Sequence, residues 1–393
     1  MTGPPSARTV PLPRLALYFL TLGAIGFGGP AALADRMRRD LVEIREWITR
    51  EEFDLGLTIA AACPGPLAYQ LAVYCGYARH GATGAYAVGM AFALVPFALV
   101  VAVAASYETW STSLTARGLF FGAGPVVVAL ICRACWNLGR RTLHRAPLAW
   151  ATCATAAAIT WTTGREPLWM FALAGLLGAF LLRPSLAGSK AVAGSTRGHT
   201  SGAALLAVVF EPPGMLTAST SAQLFGFFFK TGCLVFGSGL VIVPFLRSAV
   251  VDSYHWIGEQ QFLDSVTVGL VSPGPVVITA TFVGYLVARL PGAIAATTGM
   301  FLPAVLFTII AAPWFERRRQ SPVLLGFVRG ITAAVVGVLA GTVPLVAGGA
   351  VPDAAAAAIL VAATAVMTRW RLPDPMLVAL GGAGGVAILW WRG

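Results

Sequence analysis

Charged residues are scarce in this sequence. Of its 393 residues only 11% are charged, whereas about a quarter are charged in a typical soluble domain, and 57% are hydrophobic. Long apolar runs recur from residue 15 to residue 391. The chain is therefore predicted to be an all-α polytopic membrane protein in the lipid bilayer, which excludes a soluble domain with one buried core.

The sequence also lacks the usual signs of an enzyme, a cofactor site or a nucleic-acid-binding protein. It has no HExxH, GxSxG or P-loop motif, and its four histidines are scattered. The six cysteines lie mostly in apolar segments, and Cys132 and Cys135 form a lone CxxC, so neither a disulfide framework nor a metal site is expected. The net charge of +11 comes from arginines between apolar runs, which positive-inside topology explains without nucleic acid. Without a nucleotide-binding domain, active transport would need an ion gradient or a separate partner.

What the sequence does contain is a duplication. With a shift of 209 positions and no gap, twelve residues between 19 and 66 meet identical residues, where about three would be expected by chance. The first set is Phe19, Gly23, Phe27, Gly28, Arg38, Trp47, Ile48, Phe53, Thr58, Pro64, Gly65 and Pro66. A repeat of half the chain, interrupted by glycine and proline inside apolar segments, is typical of membrane transporters.

The duplication divides the chain into two homologous repeats. Residues 1–183 form the first, called copy 1 below, and residues 204–393 form the second, called copy 2. The stretch 184–203 is rich in small residues and is predicted to be a cytoplasmic linker. The first residues are polar and proline-rich, and the apolar run after them has its own copy at 228–246, so it is interpreted as mature structure and not as a signal peptide.

Within copy 1, two broken apolar segments surround a polar stretch. The first segment, 15–34, is interrupted at Gly26-Phe27-Gly28-Gly29-Pro30, and residues 35–52 are predicted to form an amphipathic interfacial helix. Thr49 and Glu52 have the spacing of a capping box, which predicts a helix start at Phe53. That helix is predicted to break at Pro64-Gly65-Pro66.

Arginine counts predict opposite orientations for the copies. Residues 35–52 contain five arginines and the matching 244–261 one, whereas the loop 107–117 contains one and its counterpart 316–320 three. In every such comparison, the arginine-rich segment of one copy has an arginine-poor counterpart in the other, as expected for inverted-topology repeats. The arginine-rich loops fall on the cytoplasmic side, as the positive-inside rule predicts, only if 53–77 and 262–289 are re-entrant hairpins. Re-entrant backbone lies at membrane depth only when it is buried in protein or lines a cavity. One extra crossing is then needed between 203 and 246, and the sequence does not place it.

The breaks form the first group of predicted site residues. A helix that begins after Gly-Gly-Pro or Pro-Gly-Pro presents unpaired N–H groups and a positive dipole end, which favour an anion. Four breaks, two from each copy, would converge on one anion near the midplane. The alternative is that they are kinks needed only for packing. The predicted substrate-binding residues at the breaks are Gly28, Gly29, Pro30, Pro64, Gly65, Pro66, Gly237, Ser238, Pro273, Gly274 and Pro275.

Charged pairs form the second group. Arg38 and Arg247 are the only basic residues retained at the 209 shift, and an arginine suits a tetrahedral oxyanion, so both are predicted to bind substrate. A carboxylate near the path could carry the coupling proton. The alternative is an interfacial helix with solvated charges, in which Arg38 pairs locally. The predicted proton-coupling residues are Glu43, Asp252, Asp54 and Asp264, and further small polar side chains at the breaks are Gln70, Ser272 and Thr279.

Taken together, these motifs resemble the chromate ion transporter family. Gly26 to Pro30, Trp47-Ile48 with Phe53, and Pro64-Gly65-Pro66 look like its signature, and Phe236 to Pro275 looks like the second domain of its long-chain members. The resemblance covers nearly the whole chain. It implies a multi-pass protein of the bacterial inner membrane that exports chromate, coupled to the proton-motive force, and confers chromate resistance. The departure is Ser238-Gly239, which stands where copy 1 has Gly29-Pro30.

The leading hypothesis is thus a secondary transporter whose partners are chromate or sulfate, protons and the bilayer. Both ions are tetrahedral dianions, so the sequence does not separate them. An oxyanion or halide channel without proton coupling is the alternative, and a membrane-embedded lipid-modifying enzyme lacks the expected acidic or histidine clusters. Homodimerisation is left open. Arg38→Ala and Arg247→Ala are each predicted to reduce transport without loss of membrane expression.

Overall fold

The structure is a computed structural model of the chain. It describes residues 9–27, 29–143, 146–163, 168–181, 219–237, 239, 243, 246–318, 322–370 and 372–392. The described part is almost entirely helical, as predicted, with one pair of two-residue strands. The predicted linker 184–203 lies outside the described residues, as does much of the stretch 203–246 that was expected to contain an extra crossing.

Copy 1 contains seven α-helices, one π-helical turn and one short strand among its described residues. In chain order they are α1 (Leu12–Ile25), α2 (Gly29–Met37), π1 (Arg38–Ile44), α3 (Arg50–Ala62), β1 (Gly65–Pro66), α4 (Leu67–Trp110), α5 (Leu114–Thr142), α6 (Pro147–Thr163) and α7 (Leu168–Leu181).

The described part of copy 2 follows the same order. Its elements are α8 (Thr220–Gly232), β2 (Phe236–Gly237), π2 (Arg247–Ser253), α9 (Glu259–Val271), a 3-10 turn (Val276–Ile278), α10 (Thr279–Arg318), α11 (Pro322–Ala350), α12 (Ala354–Arg369) and α13 (Asp374–Arg392).

The bounds of these elements repeat the duplication. Shifted by 209 positions, π1 coincides with π2 and α3 with α9. Shifted by 208 positions, α5 coincides with α11. The backbone repeats as well, because the described residues with positive φ form pairs at equivalent positions: Glu46 and His255, Gly65 and Gly274, Gly81 and Arg289. Sequence identity and backbone conformation thus indicate the same two copies.

The polar stretch 35–52 is not the single amphipathic helix that was expected. Its first residues end α2, residues 38–44 form π1, and Glu46 has a φ of 54°, which ends the helical path. The wider π turn places residues five apart above one another, a periodicity that the apolar pattern alone did not distinguish from an α-helix.

The capping box is confirmed. The Glu52 amide donates to Thr49 Oγ1 at 3.2 Å, and the Thr49 amide donates to Glu52 Oε2 at 2.8 Å. The expected start at Phe53 is wrong, because α3 begins at Arg50. The physical reason is that the capping residue lies directly before the first helical residue, and Glu52 is the third residue of the helix.

Both long helices, α4 and α10, fold back on themselves. Non-helical φ and ψ at His80 and Gly81 divide α4 into α4a (67–79) and α4b (82–110). Ala288 and Arg289 divide α10 into α10a (279–287) and α10b (290–318) in the same way. Each turn brings two glycines of the adjoining arms into contact. A Cβ built on Gly76 would lie 2.3 Å from the Gly84 carbonyl oxygen, so the arms pack backbone to backbone.

Two ion pairs show which helix ends lie next to each other. Glu52, at the start of α3, pairs with Arg79, at the end of α4a, so α3 and α4a form a hairpin with Pro64-Gly65-Pro66 at its tip. Arg289, at the turn of α10, pairs with Glu108, near the end of α4b, at 3.0 Å. The turn of α4 is therefore at one end of α4b, whereas the equivalent turn of α10 is at the other.

The copies are interlocked. In the described structure, α4 packs against α10, α5 against α13, and α11 against both α6 and α7. Among the described residues, five helical segments are long and apolar enough to cross a membrane: 67–110 and 276–310, each of which includes a folded-back turn, and 114–140, 326–350 and 374–392. The chain is therefore a multi-pass membrane protein, as the composition predicted.

Candidate functional site: the meeting point of the breaks

The breaks of the two copies meet through backbone hydrogen bonds. β1 pairs in parallel with β2, with Gly65 opposite Phe236 and Pro66 opposite Gly237. The Gly65 amide donates to the Val235 carbonyl oxygen at 2.6 Å. The Pro-Gly-Pro break of copy 1 thus contacts the Phe-Gly break of copy 2.

The converse contact is also present. The Gly274 amide donates to the Gly26 carbonyl oxygen at 3.0 Å. Gly274 and Gly26 are the residues equivalent to Gly65 and Val235 at the 209 shift, so the two bonds are one contact made twice. Each copy supplies both the donor and the acceptor, and all four break regions contribute.

Glycine is required at both tips. Gly65 has a φ of 140° and Gly274 a φ of 88°, both in the region that L-residues avoid. A Cβ on Gly65 would lie 2.8 Å from Ala304 Cβ, and one on Gly274 would lie 2.7 Å from Pro96 Cγ. Ala304 is in α10b and Pro96 is in α4b, so each tip packs against the long helix of the other copy.

The other predicted break residues do not all lie at the start of a helix. Gly29 and Pro30 begin α2, and Pro66 is the residue directly before α4, so two helices start as the glycine-proline pattern predicted. Pro275 directly precedes the 3-10 turn that leads into α10, and Pro273 is buried beside it. Pro64 is half-buried, and Gly237 is in β2. Gly28 and Ser238 lie outside the described residues.

A buried amide lies at the tip of copy 1. Gln70 is fully buried in the first turns of α4, and neither Nε2 nor Oε1 has a hydrogen-bond partner among the described residues. Its Oε1 would lie 3.0 Å from a Cβ on Gly65. Thr279 is the equivalent residue of copy 2, and its hydroxyl donates to the Val276 carbonyl oxygen at 2.9 Å. Of this pair, only the copy 1 side chain has no hydrogen-bond partner among the described residues.

The predicted arginines are held in local ion pairs. Arg38 pairs with Glu43 at 3.6 Å, and Arg247 pairs with Asp252 at 3.0 Å, each across five residues of a π turn. Arg247 also pairs with Glu259 at 3.0 Å. The local pairing weighed above is therefore present in both copies, and the ion pairs of these five charged residues lie on the polar segments and not at the tips.

Asp264 differs from the other predicted acids. It is 2% exposed, accepts a hydrogen bond from the Tyr107 hydroxyl at 2.5 Å and another from Gln260 Nε2 at 2.8 Å, and has no ion-pair partner among the described residues. Burial raises the pKa of Asp264 to about 6, and the two hydrogen bonds offset only part of that effect. Asp54, one position out of register in copy 1, is exposed.

Asp264 lines a cavity between the copies. The cavity has a volume of about 510 Å³, and its wall combines polar side chains of both copies with the loop after α11. Lining residues include Tyr107, Arg117, Phe120, Gln260, Asp264 and Pro352. It lies at the end of α4b where Glu108 pairs with Arg289, so it opens at one face of the helix bundle.

Comparisons with known proteins agree with this architecture. A family model described as "Chromate transporter" matches twice, at residues 13–179 and 222–386. The chain is 39% identical over 377 residues to the chromate transport protein of Cupriavidus metallidurans, covering 95% of this chain and 92% of that one. It is 38% identical over 383 residues to the probable chromate transport protein of Synechococcus elongatus, covering 96% of each. No solved structure matches the chain.

Proposed function

Because the chain belongs to the chromate transporter family, we propose that it carries chromate across the bacterial inner membrane and out of the cell. The observation that carries the proposal is the pair of backbone hydrogen bonds, Gly65 to Val235 and Gly274 to Gly26, which join break regions of the two copies and support a shared anion path. Relatives described as chromate transport proteins match over nearly their whole length, which supports the choice of anion. Sulfate, with the same shape and charge, is the expected competitor.

We further propose that the copies have opposite orientations and that their broken segments re-enter the membrane. α3 and α9 have 13 residues each, about 20 Å of helix, which is short of the roughly 30 Å hydrocarbon core. The Glu52–Arg79 pair joins the two ends of one hairpin, which supports return to the same face. The positions of the two equivalent turns at opposite ends of α4b support inversion.

In this arrangement the anion passes the tips near the membrane midplane. Backbone N–H groups at helix starts stabilise negative charge, and they do so without a fixed cation that would hold the anion too tightly. Arg38 and Arg247, located on the polar π turns, would attract the oxyanion towards the two mouths of the path. Their ion pairs with Glu43 and Asp252 keep that attraction moderate.

Of the four predicted acids, Asp264 fits proton coupling best. It is buried beside a cavity that Arg117 also lines and has no ion-pair partner among the described residues, whereas Glu43 and Asp252 are paired and Asp54 is exposed. A carboxyl in this setting exchanges a proton near physiological pH. We therefore assign the coupling role to Asp264 first.

Uptake of labelled chromate into everted membrane vesicles tests the function. Vesicles with this protein are expected to accumulate chromate when a proton gradient is imposed, and excess sulfate is expected to compete. Cells that express it should also grow at higher chromate concentration. Equal uptake by empty vesicles would exclude chromate export. Flux that follows only the membrane potential and ignores the proton gradient would identify a channel instead.

A further inference from the structure

We propose that the side-chain amide of Gln70 is a ligand of the transported oxyanion, and that the bound anion lies closer to the copy 1 tip than to the copy 2 tip. This rests on the proposed function, since it names the side chain that recognises the anion. The proposal draws on the burial of Gln70, the place of its amide, and its difference from the equivalent residue.

The hydrogen-bonding capacity of the Gln70 amide is unused within the described structure. Both Gln70 Nε2 and Oε1 are buried without a partner among the described residues. Buried polar groups in native proteins are nearly always hydrogen-bonded, so an amide with both ends unused marks a place that a ligand or water occupies. Gln70 is the only glutamine or asparagine side chain with this property in the described part of the chain.

The Gln70 amide lies at the start of α4, beside the copy 1 tip. Gln70 is the fourth residue of α4, so its side chain belongs to the start of that helix, directly after the first residues, whose N–H groups have no acceptor within the helix. Its Oε1 lies beside Gly65, where a Cβ would come within 3.0 Å and fill the space next to the amide. The absence of a side chain at Gly65 therefore lets the copy 1 tip lie directly against the amide, so an anion that reaches this tip comes within reach of Gln70.

The two copies differ at the position of this amide. Thr279 stands at the position equivalent to Gln70, but its hydroxyl is already bonded to the Val276 carbonyl oxygen. The backbone contacts of the tips are symmetric, whereas the side-chain donors are not. An anion that gains a hydrogen bond from Gln70 is consequently drawn towards copy 1.

The amide suits a transported ion because it is neutral. A hydrogen bond from Gln70 to a charged oxygen adds selectivity for an oxyanion over a halide, since an oxyanion offers several directed acceptors. A lysine or arginine at this depth would add a full charge that the anion would have to leave behind. Glutamine thus provides recognition that still allows release.

Two variants test the assignment. Gln70→Met keeps the length of the side chain and removes the amide, and Gln70→Glu keeps its shape and adds negative charge. For each purified full-length variant, the thermal unfolding midpoint is measured without and with chromate, and the KM for chromate is measured in vesicles. Thr342→Val, a buried threonine whose hydroxyl bonds within its own helix, serves as the matched control.

We expect Gln70→Met to raise the unfolding midpoint of the chromate-free protein, because it removes a buried amide that lacks partners. It should also raise the chromate KM roughly tenfold to a hundredfold, as for loss of a hydrogen bond to a charged group. Gln70→Glu should abolish chromate stabilisation. Thr342→Val should leave the KM as in the wild type.

Other results would overturn the assignment. A lower unfolding midpoint with an unchanged KM would show that Gln70 is structural. A larger KM effect from Thr279→Val than from Gln70→Met would place the anion at copy 2. If the wild-type protein itself neither binds nor transports chromate, the proposed function fails along with the assignment, whereas normal wild-type transport with a normal Gln70→Met variant refutes Gln70 alone.

Discussion

Gly274 shows how much a single backbone position contributes at this site. Its φ of 88° and the proximity of Pro96 leave no room for a side chain. We expect Gly274→Ala to cost roughly 1–3 kcal/mol and to reduce transport, because both strain and the contact with α4b act at the tip. Gly258→Ala is the control, since Gly258 has a negative φ of −78° and open space around it.

Thermal unfolding in detergent and chromate uptake would check this. A Gly274→Ala protein as stable and active as Gly258→Ala would contradict the close contact between the tip and α4b. Gly65→Ala should behave like Gly274→Ala, because the two glycines occupy equivalent places.

Asp264 leads to a prediction on pH dependence. With its pKa raised to about 6, the carboxyl is neutral below that pH and ionised above it. We expect the initial transport rate to titrate near pH 6 on the cavity face, and Asp264→Asn to remove that titration. Chromate itself is protonated in the same region, so the profile of Asp54→Asn supplies the baseline. Identical profiles for the two variants would exclude Asp264 from coupling.

At the scale of elements, the hairpin of α3 and α4a depends on the ion pair at its base. Arg79 is 15% exposed and pairs with Glu52, which also caps α3. We expect Arg79→Met to lower stability by about 1–2 kcal/mol, because it leaves a half-buried carboxylate without its cation. Arg39→Met, at an arginine 65% exposed, should change little.

Limited proteolysis and thermal unfolding of the two variants would measure the difference. If Arg79→Met and Arg39→Met were equally stable, the hairpin would be held by its apolar contacts alone. Glu52→Gln offers a further comparison, since it keeps the capping box and removes only the charge.

Elements could be predicted where a local signal determines them. The capping box at Thr49, the breaks at Pro64-Gly65-Pro66 and the apolar runs all depend on neighbouring residues, and the structure has them. The two π turns could not be predicted, because their apolar spacing resembles that of an α-helix. The predicted hairpin 262–289 ends at the turn of Ala288 and Arg289, but the positive φ of Arg289 could not be predicted, since the residue is not a glycine.

At the scale of the whole molecule, the opposite orientation of the copies can be tested with two equivalent positions. Ile44 and Ser253 end π1 and π2, and both are exposed. In a variant without the native cysteines, we expect Ser253→Cys to react with a membrane-impermeant maleimide in intact cells. Ile44→Cys should react only after the membrane is opened.

Labelling of both positions from the same side would exclude inversion. The arginine counts predict which face of the membrane is cytoplasmic, because the segment with five arginines is expected on the cytoplasmic side. The pairing of Arg289 with Glu108 is compatible with opposite orientations, since it brings a turn of copy 2 to the far end of α4b.

The site could be predicted only in part. The duplication indicated which break residues are equivalent, and the predicted inversion of the copies led to the expectation that the breaks would approach one another. Which atoms meet could not be read from the sequence, because the bonds from Gly65 to Val235 and from Gly274 to Gly26 join distant segments. Gln70 was one of several polar residues near a break, and only its burial without a partner sets it apart.

The bond between Gly65 and Val235 also has a consequence for synthesis. Its two residues are 170 positions apart, the difference between 65 and 235. At roughly 5–20 residues per second, a ribosome makes that length in about 10–30 s. Throughout that interval the Gly65 amide has no protein acceptor from copy 2, and an amide at membrane depth cannot stay unpaired. If the tip re-enters the membrane as proposed, the Gly65 amide has to bond to water or to another part of the first half until the second half supplies the Val235 carbonyl oxygen.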